Sequence, residues 1–486
     1  MNQKQEHAVT LMPGDGIGPE IMDAVARVLE AAGARIRWER VDAGAKVFAA
    51  GDASGVSREA MDSLARTRVA LKGPLETPVG HGGKSANVTL RKYFETFANL
   101  RPVKEFPSIQ TPFSGRGIDM VVVRENIEDL YAGIEHMQTP DVAQCLKLIT
   151  RKGTEKIART AFALAANEGR ASVHVATKAN IMKQTEGMFK RVSESVAEDF
   201  PGVEMKHILI DNCAHQLVIR PEQFEVILTT NMNGDIISDL TSGLVGGLGI
   251  APSANLGHEC AIFEAVHGSA PDIAGQDKAN PLALMLSSVM LLRHLGEAEC
   301  AYRVEQAIHQ TLARAEALPG DIARGRPVVG TRAFADAIIA QLAQVEPPPA
   351  DLPIPQAVEM PARREEVAVL RGVKRELAGV DAFIEFDGSA EALGGKLEEA
   401  AANTAFQLKM ISNRGTLVYP PTGASTDCVN CWRCRFVPRN SESAPCSACV
   451  TGLLEAIAAA GLDWVHLEKL QRFDGEDAFS KAQGEA

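Results

Sequence analysis

Short β-branched runs alternate with helix-like segments along most of this chain, and that alternation limits it to an α/β architecture. MVVVREN, SVHVATK, HILID and FEVILTT are such runs. Upstream, VTLMPGDGIGPEIMDAVARVLEAAG reads as strand, Gly-rich turn and helix. Ile17, Ile21, Val25 and Val28 recur at helical spacing, and Pro19 falls where a first helical turn tolerates it. IRWERVDAG, SREAMDSLARTR and VALKGP continue as strand, helix and strand. PLALMLSSVMLLRHLG and AYRVEQAIHQTLARAEALPGD read as two long helices, the first apolar enough to be buried. No internal repeat is visible.

The pattern breaks at VEPPPADLPIPQAVEMP, Val345 to Pro361, whose clustered prolines suit a semi-rigid extended linker. Beyond it, VDAFIEFDG and FQLKMISN are strand-like, and SAEALGGKLEEAAAN and CVTGLLEAIAAAG are helical, which suggests a small α+β appendage. A length of 486 residues accommodates two or three domains. The net charge of -12 argues against nucleic acid or an anionic membrane as partner, since both reward basic surface. The N-terminus lacks the basic and apolar regions of a signal peptide. The longest apolar run, Ala283 to Leu292, is interrupted by two serines and is too short for a bilayer. These features predict a soluble, cytoplasmic protein.

The run TTNMNGDIISDLTSGLVGGLGIAPSANLG, Thr229 to Gly257, carries the strongest chemical signal. Asp235 and Asp239 stand four residues apart, which on a helix places both carboxylates on one face. Neighbouring carboxylates repel unless a cation sits between them. Asp211, at the end of HILI, adds a third acid. Such an oxygen set suits Mg²⁺ or Mn²⁺. The plainer alternative is a solvated helix start with Asp235 near an N-cap.

Between Lys72 and Pro102 the chain gathers Lys72, Thr77, Ser85, Asn87, Arg91 and Arg101, and Arg124 follows. Guanidinium groups take carboxylates through paired hydrogen bonds, so the window suits a substrate with several carboxylates. Each arginine taken singly is more often a surface residue paired with glutamate. Tyr131 and Lys178 are candidate proton carriers. His267, in FEAVHGSAPDIAGQDKANP, opens a loop of small residues that lets a cofactor approach the backbone. Gly14, Gly16 and Gly18 are spaced GxGxG, which alone reads as a tight turn.

Together these motifs resemble the β-decarboxylating isocitrate/isopropylmalate dehydrogenases, in order from Leu11 to about Leu342. The resemblance implies a doubly wound α/β fold in two parts, a large domain from 1–97 with 246–344 and a small domain with a dimer clasp from 98–245. A linker at 345–365 and a C-terminal α+β domain with a Cys-rich insert at 366–486 would follow. It implies that Arg91, Arg101 and Arg124 hold substrate carboxylates with Thr77 nearby. Ser85 and Asn87 would reach the carboxylate that distinguishes isocitrate, against the isopropylmalate and homoisocitrate rivals. Asp235 and Asp239 would bind the metal with Asp211 supplied by the second subunit of a homodimer. Lys178, also crossing the interface, would be the base, and Tyr131 the acid that protonates C3 after CO₂ leaves. A non-catalytic regulatory subunit is disfavoured, because Tyr131, Lys178 and the three aspartates are all kept.

For the coenzyme, the resemblance implies binding by Lys72, His267, Gly268, Ser269, Ala270, Asp272, Ile273 and Asn280. NADP-type members carry Lys-Tyr where this chain has Asp272-Ile273, and a carboxylate there accepts from a ribose hydroxyl and repels a 2′-phosphate. NAD is therefore expected, with NADP as the alternative that Arg324 and Arg326 support. The C-terminal part resembles an extension of longer bacterial isocitrate dehydrogenases, through KMISNRGTLVYPPTG, WRCRF and LEKLQRFDGE, and suggests an interface or regulatory role. Its paired motifs, Cys428/Cys431 and Cys446/Cys449 with Cys434 spare, are spaced like a four-cysteine zinc ribbon, or are ordinary reduced thiols.

Overall fold

The computed structural model describes residues 6–76, 85–316, 318–349, 358, 360, 372–423, 426–440 and 445–485. The chain divides into two compact units, 1–132 with 147–363 and 133–146 with 364–486.

The first unit is built on a ten-stranded sheet. Its order is Ile36–Arg40, His7–Met12, Val69–Lys72, Ala261–Ala265, Pro252–Leu256, Ala98–Lys104, Asp119–Glu125, Val226–Thr229, Ser172–Thr177 and Glu204–Leu209. The four strands at one end pair parallel, as do the four at the other. Antiparallel pairings through Pro252–Leu256 and Ala98–Lys104 join the two blocks. Val69–Lys72, Ser172–Thr177 and Val226–Thr229 are buried throughout, as strands covered by helices on both faces must be. Strands from 1–97 and 246–344 make up one half of this sheet and strands from 98–245 the other, within a single unit, and the hairpin at 133–146 falls in the second unit.

The helix Gly18–Ala31 buries Ile21, Val25 and Val28, the apolar stripe read from the sequence. Leu282–His294 buries residues around most of its circumference, in keeping with its continuous apolar composition. Gly14 and Gly16 take positive φ, +76° and +56°. A Cβ on Gly16 would run into the Ser269 carbonyl, which instead accepts from the Ile17 N–H at 2.8 Å. The GxGxG turn thus packs the first helix against the His267 loop. Only glycine allows both the dihedral and the approach.

The second unit has a six-stranded antiparallel sheet. Its order is Thr416–Tyr419, Phe406–Asn413, Cys431–Pro438, Arg375–Glu385, Asp463–Phe473 and Glu476–Asp477. The helices Ala390–Ala401 and Ser447–Ala459 supply Leu393, Leu397, Leu453 and Ile457 to a core with Val380, Ile384, Phe406 and Phe436. A hairpin, Glu135–Thr139 and Val142–Cys145, belongs to this unit, and Thr139 Oγ1 lies 2.9 Å from Asn430 Oδ1. Arg435 is 1% exposed in the sheet. Its guanidinium bonds both oxygens of Asp381 at 2.8 Å and reaches Glu485 at 2.8 Å. Removing one partner of a buried ionic group leaves the others uncompensated, so Arg435→Met should destabilise this unit by about 3–5 kcal/mol. Urea unfolding followed by tryptophan fluorescence checks this, since Trp432 and Trp464 both lie in the unit.

Candidate active site

The antiparallel middle of the large sheet is where the site is assembled. Side chains two apart on a strand share a face, so Asn99 and Arg101 lie beside Ser253 and Asn255 of the neighbouring strand. Asn99 Nδ2 donates to Ser253 Oγ at 2.8 Å and to Asn255 Oδ1 at 2.9 Å. Asn99 Oδ1 accepts from Arg101 Nε at 2.7 Å, and Asn255 Nδ2 donates to Glu264 Oε1 at 2.7 Å. A buried polar row therefore runs across the sheet and fixes Arg101 and Glu264 in place.

A cleft of about 380 Å³ opens above this row. Its wall includes Lys72, Ser85, Asn87, Arg91, Arg101, Arg124, Tyr131, Asp235, Glu264, His267 and Gly268. Glu264 pairs with Lys72 at 2.6 Å and with Arg91 at 3.0 Å. Burial pulls its carboxyl up, but these two cations outweigh it and hold the group well below the usual range. Burial also lowers the pKa of Lys72, which Glu264 opposes. Arg124 donates through Nε and Nη2 to Asn231 Oδ1 at 3.1 and 2.8 Å, and through Nη1 to Asp235. Burial and the like charges of Arg91 and Arg101 bring Arg124 down to about 10. Arg101 reaches Asp235 at 3.4 Å and Asp239 at 3.6 Å.

Asp235 and Asp239 project from the helix Asn231–Val245, whose N-cap is Thr230. Asp235 is in its second turn and is not a capping residue, which removes the plainer alternative. Burial raises the pKa of Asp235, but Arg124, Tyr131 and Arg101 outweigh it and leave the group low. Asp239 is raised by burial, which Arg101 only partly offsets. Tyr131, in the 3-10 turn Leu130–Ala132, donates to Asp235 Oδ2 at 2.6 Å, and its ring centroid lies 5.0 Å from the Arg124 guanidinium carbon. Burial and the bond to Asp235 push its pKa up, so it stays a neutral phenol with a proton to give. Asn87 Oδ1 and His267 Nε2 are buried in the same cleft with no hydrogen-bond partner among the described residues. Burial lowers the pKa of His267 and keeps the ring neutral.

Lys178 and Asp211 form a separate centre. Lys178 follows the strand Ser172–Thr177, Asp211 opens the helix Ile210–Ile219, and the pair meets at 2.9 Å. The Lys178 hydrogen bond pulls the Asp211 carboxyl down. Among the described residues, neither lines the arginine cleft. The chain thus carries the predicted residues in two groups.

In the coenzyme segment, Gly268 lines the cleft and Ser269 supplies the carbonyl that holds Ile17. Ala270 adopts a left-handed φ of +39°, and Asp272 and Ile273 form a short 3-10 turn with Asp272 exposed. Asn280 Nδ2 donates to Asp321 Oδ2 at 3.0 Å, which ties this loop to the helix Gly320–Ala323. Arg324 caps that helix, and Arg326 donates to the Ser108 carbonyl at 2.9 Å. Thr77 lies outside the described residues.

The sequence reading missed Glu264 in the cleft wall and Asn231, which holds the Arg124 guanidinium. Glu264 stands three residues before His267 and is the only acid in that apolar strand, which was the available signal. The zinc expectation is corrected. Among the described residues no three or more His, Cys, Asp or Glu side chains gather as a metal site. Of the expected pair Cys428/Cys431, Cys431 is buried at the start of a central strand while Cys428 is exposed ahead of it, so the CxxC spacing there does not form a ligand knuckle, and the spare Cys434 is buried in the same strand. Among the described residues only Cys446 and Cys449 come together.

Residues 8–338 match the isocitrate/isopropylmalate dehydrogenase family, and residues 375–485 match the bacterial isocitrate dehydrogenase C-terminal domain. A Thermus thermophilus protein named isocitrate dehydrogenase [NADP] is 56% identical over 477 residues, covering 98% of this chain and 96% of that one. A Rickettsia bellii protein of the same name is 38% identical over 98% of this chain and 99% of its own length. A crystal structure of a Thermus thermophilus protein superposes with a TM-score of 0.94 at 56% identity, covering 99% of this chain and 96% of that one. The chain therefore belongs to the isocitrate/isopropylmalate dehydrogenase family and carries the C-terminal domain of its bacterial isocitrate dehydrogenases.

Proposed function

We propose that this protein oxidises isocitrate to 2-oxoglutarate and CO₂ with NADP as hydride acceptor and a divalent cation as helper. The observation that carries the reading is the convergence of Arg91, Arg101 and Arg124 with Tyr131 and Asp235 at one cleft, with Asp239 3.6 Å from Arg101. Four cations, Lys72, Arg91, Arg101 and Arg124, line the cleft with the carboxylates of Asp235 and Glu264, and Asp239 lies 3.6 Å from Arg101, so a positive excess suited to a tricarboxylate remains. The arginines hold Glu264, Asp235 and Asn231, and substrate carboxylates exchange for part of these bonds. Ser85 and Asn87, at the start of the helix Ala86–Tyr93, meet the substrate carboxylate that isopropylmalate lacks.

Asp235, Asp239 and the second copy's Asp211 are a hard-oxygen set that fits Mg²⁺ or Mn²⁺. A bound dication would acidify the substrate hydroxyl and stabilise negative charge on the oxygen after oxidation. Lys178, held by Asp211, accepts the hydroxyl proton. Tyr131, kept neutral by burial and by Asp235, delivers a proton to C3 once CO₂ has left. Lys178 and Tyr131 work on one substrate only if two copies share each site. The exposed Val218, Ile219, Met232 and Ile236, on two helices that pack together, supply apolar surface for such a homodimer.

The expectation of NAD from Asp272 is replaced by NADP. Both named relatives that span the chain are NADP enzymes. Asp272 is exposed, so water screens its repulsion of a phosphate. Arg324, on a helix tied to the same loop, offers the compensating charge. The same reading places the enzyme in the cytoplasm. No helix among the described residues is long and apolar enough to cross a membrane.

With isocitrate, kcat/KM should be higher for NADP than for NAD. Arg324→Glu should lower the NADP value roughly ten- to a hundredfold, the worth of one charge-assisted bond, and leave the NAD value nearly unchanged. Equal losses with both coenzymes would remove Arg324 from the phosphate site. Tyr131→Phe should cut overall turnover by roughly 10²–10⁴ while sparing the reduction of added oxalosuccinate; parallel loss of both activities contradicts the assigned acid. Finally, mixing and refolding Tyr131→Phe with Lys178→Met protein should restore activity that neither has alone. No recovery in verified mixed dimers would sink the shared site.

A further inference from the structure

The second unit carries a pair of thiols that the proposed reaction does not use. Cys446 is the N-cap residue of the helix Ser447–Ala459, and Cys449 lies in its first turn. Their sulfurs are 3.3 Å apart. Among the described residues no other two of the nine cysteines are in such contact. Cys446 is exposed and Cys449 partly so.

The surroundings favour the thiolate of Cys446. The backbone N–H groups of the first helical turn and the adjacent Cys449 thiol draw its pKa below the ordinary value. The helix start adds its positive end. Lys469, on the strand Asp463–Phe473, donates to Ser447 Oγ at 2.9 Å and places a cation beside the same turn. Cys434 is the opposite case, since full burial pushes it well above the usual value. An exposed thiol at a helix N-terminus, with a second thiol one turn on, has the attacking and resolving groups of a dithiol exchange centre.

We infer that Cys446 and Cys449 form a thiol–disulfide exchange site whose substrates are small disulfides of the glutathione type. The Cys446 thiolate attacks one sulfur of the disulfide, forms a mixed disulfide and releases one thiolate. Cys449 then loses its proton and attacks the Cys446 sulfur, closing Cys446–Cys449 and releasing the second thiol. Two protein thiols are oxidised and one external disulfide is reduced. Closure needs the sulfurs to approach from 3.3 Å to about the 2.05 Å of a disulfide bond, a small movement within one turn. The site stands apart from the dehydrogenase reading and does not depend on it.

The test uses full-length protein, reduced, desalted without oxygen and exposed to glutathione disulfide, then read by intact mass and peptide mapping. Wild type should lose two thiols per chain, gain a Cys446–Cys449 link and keep no glutathione. Dithiothreitol should reverse this. Cys449→Ser should stop at glutathione bound to Cys446, Cys446→Ser should form no link, and Cys428→Ser should behave as wild type. Unreacted wild type, glutathione persisting on wild-type Cys446, or a link from either residue to Cys428 would each overturn the assignment.

Discussion

Cations buried on a β-sheet are tolerated only when each meets a partner, and that requirement shapes the centre of this molecule. Glu264 lies between Lys72 and Arg91, and Asp235 lies between Arg101 and Arg124. Taking away one member of such a group leaves a charge stranded in a poor solvent. The surrounding amides, Asn99, Asn255 and Asn231, complete the hydrogen bonding and hold the guanidinium groups in fixed directions. The cleft is thus organised by the protein's own contacts. An anionic ligand finds its partners oriented, and little ordering remains to be done on binding.

The sheet topology is what makes this arrangement possible. A wholly parallel sheet would have buried these middle strands as continuous apolar runs. Antiparallel pairing through Pro252–Leu256 and Ala98–Lys104 brings Asn255, Asn99 and Arg124 side by side on adjacent strands, with Lys72 and Glu264 in register next to them. Polar residues from five strands so contribute to one row. The apolar core runs through both parallel blocks and continues on the middle strands through Leu100, Val103 and Leu256.

Much of this was legible in the sequence, and what was not has identifiable causes. The helix Gly18–Ala31 and the strands around Arg124 and Thr229 announced themselves by period and β-branching. PSANL and AIFEA did not, because small and polar residues there hide the strand pattern. Glu264, Asn99 and Asn231 escaped notice since a polar residue in a buried strand or helix start looks like a break in the pattern. The start of the strand Cys431–Pro438 was obscured by the pair Cys428/Cys431, whose CxxC spacing suggested a zinc site although one member lies buried in the strand and the other exposed before it. Asp235, Asp239, Lys178 and Asp211 were recognisable one by one, but their separation into two groups depends on tertiary structure. Asp272 illustrates the opposite difficulty, in which one charge was read without knowledge of its exposure.

The hairpin at 133–146 has a consequence for how the polypeptide matures. The C-terminal unit takes this piece from the middle of the chain and the remainder from beyond residue 363. During synthesis the hairpin leaves the ribosome long before its companion strands exist, and it must wait for them. Tyr131 stands two residues ahead of that crossing point, so the backbone just beyond the cleft's phenol leads directly into the piece that the other unit takes.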